Sequence, residues 1–162
     1  MDELKKGLDI SLHGEMAEKA IERFHSYLHD WGLVMPPVEP LVLDFGLGDF
    51  DRHGLIEYWI ANEAEGGYCG KFLFVFDGQT CPRHMHREKL ETFYIVRGTV
   101  LMDFDGAKSS MKAGDILRVQ PGKYHRFTGL EPSLLLEVSK PSIIEDNFFE
   151  NTSIPIGGNY TG

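Results

Sequence analysis

Two histidines separated by one residue, with a carboxylate five residues further on, constrain the fold of this chain more than any other feature. His84, His86 and Glu91 form the pattern His-x-His-x4-Glu between Gly78 and Gly98. On an extended segment, side chains at i and i+2 project to the same side, so the two imidazoles face one point. Five residues later Glu91 can return to the same point from the start of the next strand. His125, in Pro121-Gly122-Lys123-Tyr124-His125, supplies a further imidazole. Three neutral imidazoles and one carboxylate converging on one spot make a site for a divalent first-row metal.

Around that pattern the chain divides into two regimes. Residues 14–31 carry Met16, Ala20, Phe24, Leu28 and Trp31 three or four apart, the spacing of one helical stripe. Gly32 stands where a helix C-cap is wanted, and Pro36-Pro37 forbids continuation. One helix is too little for a helix-turn-helix DNA-binding unit, and the stripe is read as packing on the outside of a β core. His25 and His29 sit at i and i+4 on this helix without a third ligand nearby, and are read as a partly exposed helix face. From residue 41 glycine and proline cut the chain into short β-type runs near 41–45, 55–61, 68–76, 91–97, 99–105, 115–119, 124–128 and 133–138. Arg97-Gly98-Thr99 and Asp105-Gly106 read as tight turns. Residues 139–162 are less regular, and Gly157-Gly158-Asn159 reads as a loosely ordered end. The expected division is a helical segment over 1–40, a β core over 41–150 and a tail over 151–162.

Composition narrows the class of partner. A net charge of −9 and a pI near 5.2 argue against nucleic acid and anionic membranes, which need a basic face. No apolar run reaches membrane-spanning length, and Met1-Asp2-Glu3 lacks the basic and apolar regions of a signal peptide. Cys69 and Cys81 form no Cys-x-x-Cys pair, so no disulfide framework is expected and a reducing cytoplasm is the expected location. A chain of 162 residues is long enough for one domain with a sizeable core.

Two charged residues stand in otherwise apolar runs. Lys71 lies in Tyr68-Cys69-Gly70-Lys71-Phe72-Leu73-Phe74-Val75-Phe76, and Glu137 in Leu134-Leu135-Leu136-Glu137-Val138. Placing Lys71 inside with Leu73 and Val75 leaves Phe72, Phe74 and Phe76 facing another sheet or a partner subunit. A carboxylate in Glu137's setting is at a mouth, paired, or shifted toward neutral. The bland alternatives are a snorkelling strand lysine and a strand-end carboxylate in water.

The segment from Gly78 to Gly98 matches the first cupin motif, Gly-x5-His-x-His-x4-Glu-x6-Gly, at every fixed position. Gly114-Asp115 through Pro121-Gly122-x2-His125 resembles the second, with the proline directly before the glycine and Gly129 where asparagine is usual. The resemblance implies an all-β fold, a small antiparallel β-barrel or jelly roll with the helix packed outside. Beyond the generic motifs, Leu43-Asp44-Phe45-Gly46-Leu47-Gly48, Tyr68-Cys69-Gly70-Lys71, Gly78-Gln79-Thr80-Cys81-Pro82, Lys89-Leu90-Glu91-Thr92-Phe93 and Glu137-Val138-Ser139 through Asp146 resemble the cupin D-lyxose isomerases. That resemblance implies a metal-dependent aldose–ketose isomerase acting on a small sugar, of the D-lyxose/D-xylulose or D-mannose/D-fructose type. His84, His86, Glu91 and His125 would hold Mn²⁺, with Fe²⁺, Co²⁺ or Zn²⁺ as alternatives. The metal would bind O1 and O2 and polarise the carbonyl. Glu137 would move a proton between C2 and C1 through a cis-enediol, its pKa raised by an apolar surround, and Lys71 would stabilise the oxyanion or shuttle the hydroxyl proton. A homodimer with a small-molecule sugar substrate is expected. Arg118, Tyr94 and Phe127 adjoin the ligands and are candidates for the cavity wall, whereas Arg83 and Arg87 are expected to face solvent.

Two readings of other classes stay open. A cupin dioxygenase would bind O₂ at Fe²⁺ in the same four-ligand site, with less need for Lys71 and Glu137. A non-catalytic sugar-binding cupin would return its ligand unchanged.

Overall fold

Alternation of buried and exposed residues explains why the strands pair as they do. In the computed structural model, which describes residues 2–159, Glu91, Phe93 and Ile95 point inward from one strand while Tyr94 and Arg97 are exposed. Eleven strands result: β1 Leu41–Leu43, β2 Leu55–Glu63, β3 Tyr68–Val75, β4 Thr80–Met85, β5 Glu91–Arg97, β6 Thr99–Phe104, β7 Ala107–Lys112, β8 Ile116–Val119, β9 His125–Gly129, β10 Ser133–Ser139 and β11 Phe148–Phe149. They form two antiparallel sheets facing each other, a six-stranded one in the order β1-β2-β3-β10-β5-β8 and a five-stranded one in the order β11-β4-β9-β6-β7. The sheets do not close hydrogen-bonded edges into a barrel, so the architecture is the jelly-roll form of the expected fold. Between them lies a core that includes Leu73, Val75, Phe93, Ile95, Met102, Phe127 and Leu135.

The strands β4 and β7 are absent from the runs read in the sequence. β4 contains Pro82 and the polar Arg83 and His84, and its pairing with β9 shifts register between Cys81 and His84. Proline removes a ladder donor and is tolerated where a strand bulges. β7 reads Ala-Lys-Ser-Ser-Met-Lys and is almost wholly exposed, so nothing in its hydrophobicity marks it; it follows β6 through the Asp105-Gly106 turn. At the other expected turn Gly98 has φ +84°, and a Cβ there would collide with Ser133 and the Pro132 carbonyl, so only glycine joins β5 to β6 so closely.

Two helices flank the sheets. α2, Glu15–Trp31, ends at Gly32 in the left-handed conformation, whose N–H reaches the His29 carbonyl at 3.2 Å. Its buried Ala17, Ala20, Phe24 and Leu28 pack on the outer face of the six-stranded sheet, with the Phe24 and Phe74 rings 4.2 Å apart. Phe74 and Phe76 therefore face this helix, not a second sheet or another subunit. α1, Glu3–Ile10, is a short helix without a counterpart in the sequence reading. Asp2 caps it, and Gly7 in its middle lets it lie against Leu41 and Trp59, where a Cβ would come within 2.5 Å of Leu41. Residues 139–159 wrap back as a 3₁₀ turn at Ile144–Asp146, β11 and a second 3₁₀ turn at Gly157–Asn159. Ile154 and Ile156 are buried and the Gly158 N–H bonds to the Asn147 carbonyl at 2.7 Å, so this end is built into the fold, contrary to the loose tail expected; residues 160–162 lie outside the described residues.

Candidate metal centre

His84 stands on β4, His86 one residue past its end, Glu91 at the first position of β5 and His125 at the first position of β9. β4 and β9 belong to one sheet and β5 to the other, so the four side chains meet where the two sheets come together. All four are buried, and one ligand atom from each lies within 4.8 Å of the others. No other group of three or more His, Cys, Asp or Glu residues among the described residues converges in this way. His25 instead contacts the Tyr58 hydroxyl at 3.3 Å, and His29 is exposed.

Each ring is turned by a backbone carbonyl. His84 Nδ1 donates to Pro82 O at 2.8 Å, His86 Nδ1 to Asp146 O at 3.0 Å and His125 Nδ1 to Lys123 O at 3.0 Å. Carbonyls only accept, so these partners assign the proton to Nδ1 and leave the Nε2 lone pairs bare. His86 Nε2, His125 Nε2 and Glu91 Oε1 are buried without a hydrogen bond, although Glu91 Oε1 lies 3.2 Å from the first and 2.8 Å from the second. Acceptors facing acceptors at that distance repel unless a cation stands among them. The donor set thus fits a divalent metal, and the carbonyl partners are the outer shell that orients metal-binding histidines.

The local electrostatics favour the ligating protonation states. Burial, with His125 and His86 beside it, holds His84 well below the usual 6.5, and burial together with Lys89 lowers His86. Burial pushes the Glu91 carboxyl up, but the Lys89 ammonium beside it acts the other way, and Glu91 is held well below the ordinary 4.5. Both effects have one sign for stability. The unfolded chain protonates these histidines at a higher pH than the folded one, so stability is lost as pH falls below about 6.5. The share from Glu91 is present above its unfolded value near 4.5 and is lost as pH falls further. The metal-free protein is therefore expected to melt at progressively lower temperature as pH is lowered from 7.5 through both ranges. A melting temperature that stays level from pH 7.5 to 4 would contradict it.

Glu137 lies on β10 with Lys71 of β3 as its direct neighbour on one side and Phe93 of β5 on the other. It is not isolated in an apolar wall, because Lys89 donates to Glu137 Oε1 at 2.8 Å and lies 2.8 Å from Glu91 Oε2. Burial opposes the Lys89 charge, but the two carboxylates outweigh it and raise its pKa. Lys89 went unrecognised in the sequence although it lies two residues before Glu91, close enough to share its side. Asp146 was also missed as a positioning group. Its carboxylate accepts the backbone N–H groups of Arg87, Glu88 and Lys89 at 2.9, 3.2 and 3.1 Å, and its carbonyl holds His86. No local pattern marks a partner nearly sixty residues away.

Lys71 does point inward, into a cavity of about 50 Å³ whose lining includes Glu57, Trp59, Asn147, Phe149 and Gly7 of α1. Phe149 also stacks on His84, with centroids 5.6 Å apart, which sets the cavity beside the four-residue cluster. Lys71 Nζ lies 3.4 Å from Glu57 Oε2 and 4.6 Å from the Trp59 ring centroid. Burial lowers its affinity for a proton, but Glu57 and Glu137 outweigh this, so its pKa is raised.

The other candidates for the cavity wall lie elsewhere. Tyr94 and Arg118 are exposed on the outer face, because strand alternation sets them opposite to Glu91, Phe93 and Val119. Phe127 is core packing between the sheets, 5.8 Å from the Phe93 ring. Arg83 is only partly exposed; it pairs with Asp103 at 3.4 Å and Glu150 at 3.2 Å. Arg87 is exposed and stacks over Phe148 at 4.1 Å.

Comparison with known proteins agrees with this geometry. A D-lyxose isomerase family model matches residues 41–102, and a cupin-domain model matches residues 73–139. The D-lyxose/D-mannose isomerase of Thermosediminibacter oceani is 30% identical over 141 residues, covering 70% of this chain and 77% of that protein. The D-lyxose ketol-isomerase of Cohnella laeviribosi is 26% identical over 174 residues, covering 88% and 94%. The solved structure of Cellulomonas parahominis L-ribose isomerase with L-ribose superposes with a TM-score of 0.72 at 16% identity, over 90% of this chain and 95% of that one, a likeness of fold.

Proposed function

The chain belongs to the D-lyxose isomerase family of cupins, and we propose that it interconverts a small aldose and its ketose, of the D-lyxose/D-xylulose or D-mannose/D-fructose type, by proton transfer through an enediol. The observation that carries the reading is the Lys89 bridge, which ties the would-be base Glu137 to the would-be ligand Glu91 at 2.8 Å on each side. A lone metal cluster serves many chemistries, but a carboxylate oriented beside it is what abstraction next to a carbonyl requires.

His84, His86, Glu91 and His125 would hold the divalent ion, taken as Mn²⁺. When bound it supplies Lewis-acid polarisation of the sugar's carbonyl and adjacent hydroxyl oxygens. Glu137 removes the C2 proton of the aldose and returns it at C1. Its Oε1 stays bonded to Lys89, which leaves Oε2 to take the proton. Lys71, whose proton affinity Glu57 and Glu137 raise against burial, stabilises the oxygen on which negative charge develops or carries the hydroxyl proton between O2 and O1. The hydroxyl proton lost from O2 is gained at O1, completing the isomerisation.

The same proposal takes the protein to be cytoplasmic and a homodimer. No helix among the described residues is long and apolar enough to cross a membrane. On the outer face of the six-stranded sheet, beyond the reach of α2, Tyr94, Ile116 and Val138 are exposed in neighbouring register and offer an apolar surface to a second copy. Ile116→Lys should then give a monomer by light scattering, and an unchanged mass for both proteins would place any contact elsewhere.

The reaction is tested by incubating the Mn²⁺-reconstituted protein with D-lyxose or D-mannose in D₂O, then recording proton NMR after chelation. Ketose carrying deuterium at C1 is the expected product. Conversion without deuterium would replace the enediol by a hydride shift or a shielded proton. No conversion of any aldose by metal-loaded protein would sink the isomerase reading, and oxygen uptake by the ferrous form would put a dioxygenase in its place.

A further inference from the structure

Glu57 is the one carboxylate of the inner cavity that the proposed reaction leaves without a task. Strand alternation puts it on the inner face of β2 with Trp59. Trp59 is the cross-strand neighbour of Lys71, Lys71 of Glu137 and Glu137 of Phe93, so these residues form one row across four strands. At about 4.8 Å per strand, β2 stands about 10 Å from β10. A sugar with its carbonyl end at Glu137 would have this row, past Lys71 and toward β2, as the direction for its remaining hydroxyls.

The Glu57 carboxylate is held in a defined orientation. Trp59 Nε1 donates to Oε2 at 2.7 Å, and Lys71 Nζ reaches the same oxygen at 3.4 Å. Its other oxygen, Oε1, makes no hydrogen bond among the described residues, while the side chain is only 13% exposed and lines the cavity. A carboxylate oxygen only accepts, so this one is open to a donor standing in the cavity. A hydroxyl group supplies the missing donor.

We propose that Glu57 determines substrate specificity, by accepting a hydrogen bond from an aldose hydroxyl remote from the carbonyl carbon. The proposal rests on the isomerase reading and deepens it. An aldose whose configuration turns that hydroxyl away leaves Oε1 unpaired, the kind of mismatch by which polar sites discriminate most strongly. Specificity then depends on the β2 wall of the cavity, while the chemistry depends on β5, β10 and the histidines.

The test compares wild type with Glu57→Gln, both reconstituted with Mn²⁺ and checked for metal content. Two readings are taken: kcat and KM for D-lyxose, D-mannose, D-ribose and L-ribose, and calorimetric affinity for D-arabinitol, which has hydroxyls but no carbonyl to react. The expected result is a tenfold or greater loss of discrimination between the best and the next aldose, carried by KM, and a similar weakening of the alditol. Unchanged ratios would overturn the proposal even if kcat falls, because that pattern belongs to a residue that merely orients Lys71. Trp59→Phe, which removes the donor to Oε2, is the second variant and should shift the ratios in the same direction by less; unchanged ratios there as well would overturn it. If wild type turns over no aldose, the isomerase reading fails and the alditol decides for Glu57 alone: weaker binding by the variant supports it, and equal or absent binding by both proteins overturns it.

Discussion

Glu137→Gln is expected to lower kcat by about 10²- to 10⁴-fold, the usual worth of a positioned general base, while metal content stays at the wild-type level. The substitution keeps the shape of the side chain and an oxygen that can still accept from Lys89, at 2.8 Å in the native protein. What it removes is the ability to take a proton from carbon. Glu137 is not itself among the four converging residues, so the metal has no direct reason to leave. The measurement is steady-state turnover alongside elemental analysis of the dialysed variant. Activity near wild type would remove Glu137 as the base, and a variant that loses its metal would show that the residue supports the cluster instead. Solvent deuterium entry into recovered aldose sharpens the result, because it reports proton removal at C2 even when product is not released.

His125→Ala is expected to weaken metal binding itself, by about a hundredfold or more, since even outer-shell partners of a metal site are worth ten- to a hundredfold. His125 is fully buried, with its ring 4.3 Å from His84 and 5.7 Å from Phe93, and its Nε2 is one of the bare lone pairs turned toward Glu91. Its loss leaves three converging groups where there were four. Chelator competition followed by elemental analysis reads the affinity directly. Full occupancy in the variant under the same competition would strike His125 from the ligand set. The two variants are complementary: one should separate chemistry from metal binding, and the other should remove both together.

Much of the centre was legible because its spacing is a local consequence of strand geometry. His84 and His86 share a side by alternation, and Glu91 opens the next strand, so one stretch of chain already specifies three of the four converging groups. Lys71 and Glu137 were visible as charges in apolar strands, where an ionised group requires a partner. The partners themselves were not visible. Glu57, Lys89 and Asp146 look like ordinary charged residues, and their meaning comes from partners 14, 48 and 59 positions away, side chains for the first two and backbone N–H groups for Asp146. Tyr94 stands three residues after the inward Glu91, so alternation along β5 already set it outward, whereas the side taken by Arg118 follows only from the pairing of β8 with β5.

The sequence by itself determined the long helix with its glycine cap and the chemistry of the four converging residues, which follow from spacing and residue type, and its motifs carried the resemblance that implied the jelly-roll class and the family. Only the tertiary structure decided that Lys89 joins Glu91 to Glu137, that α1 and the end of the chain enclose the cavity, and that Glu57 leaves one oxygen unpaired within it. Those are contacts between distant segments. They depend on how two twisted sheets are laid against each other, and the order of residues along one strand carries no record of that.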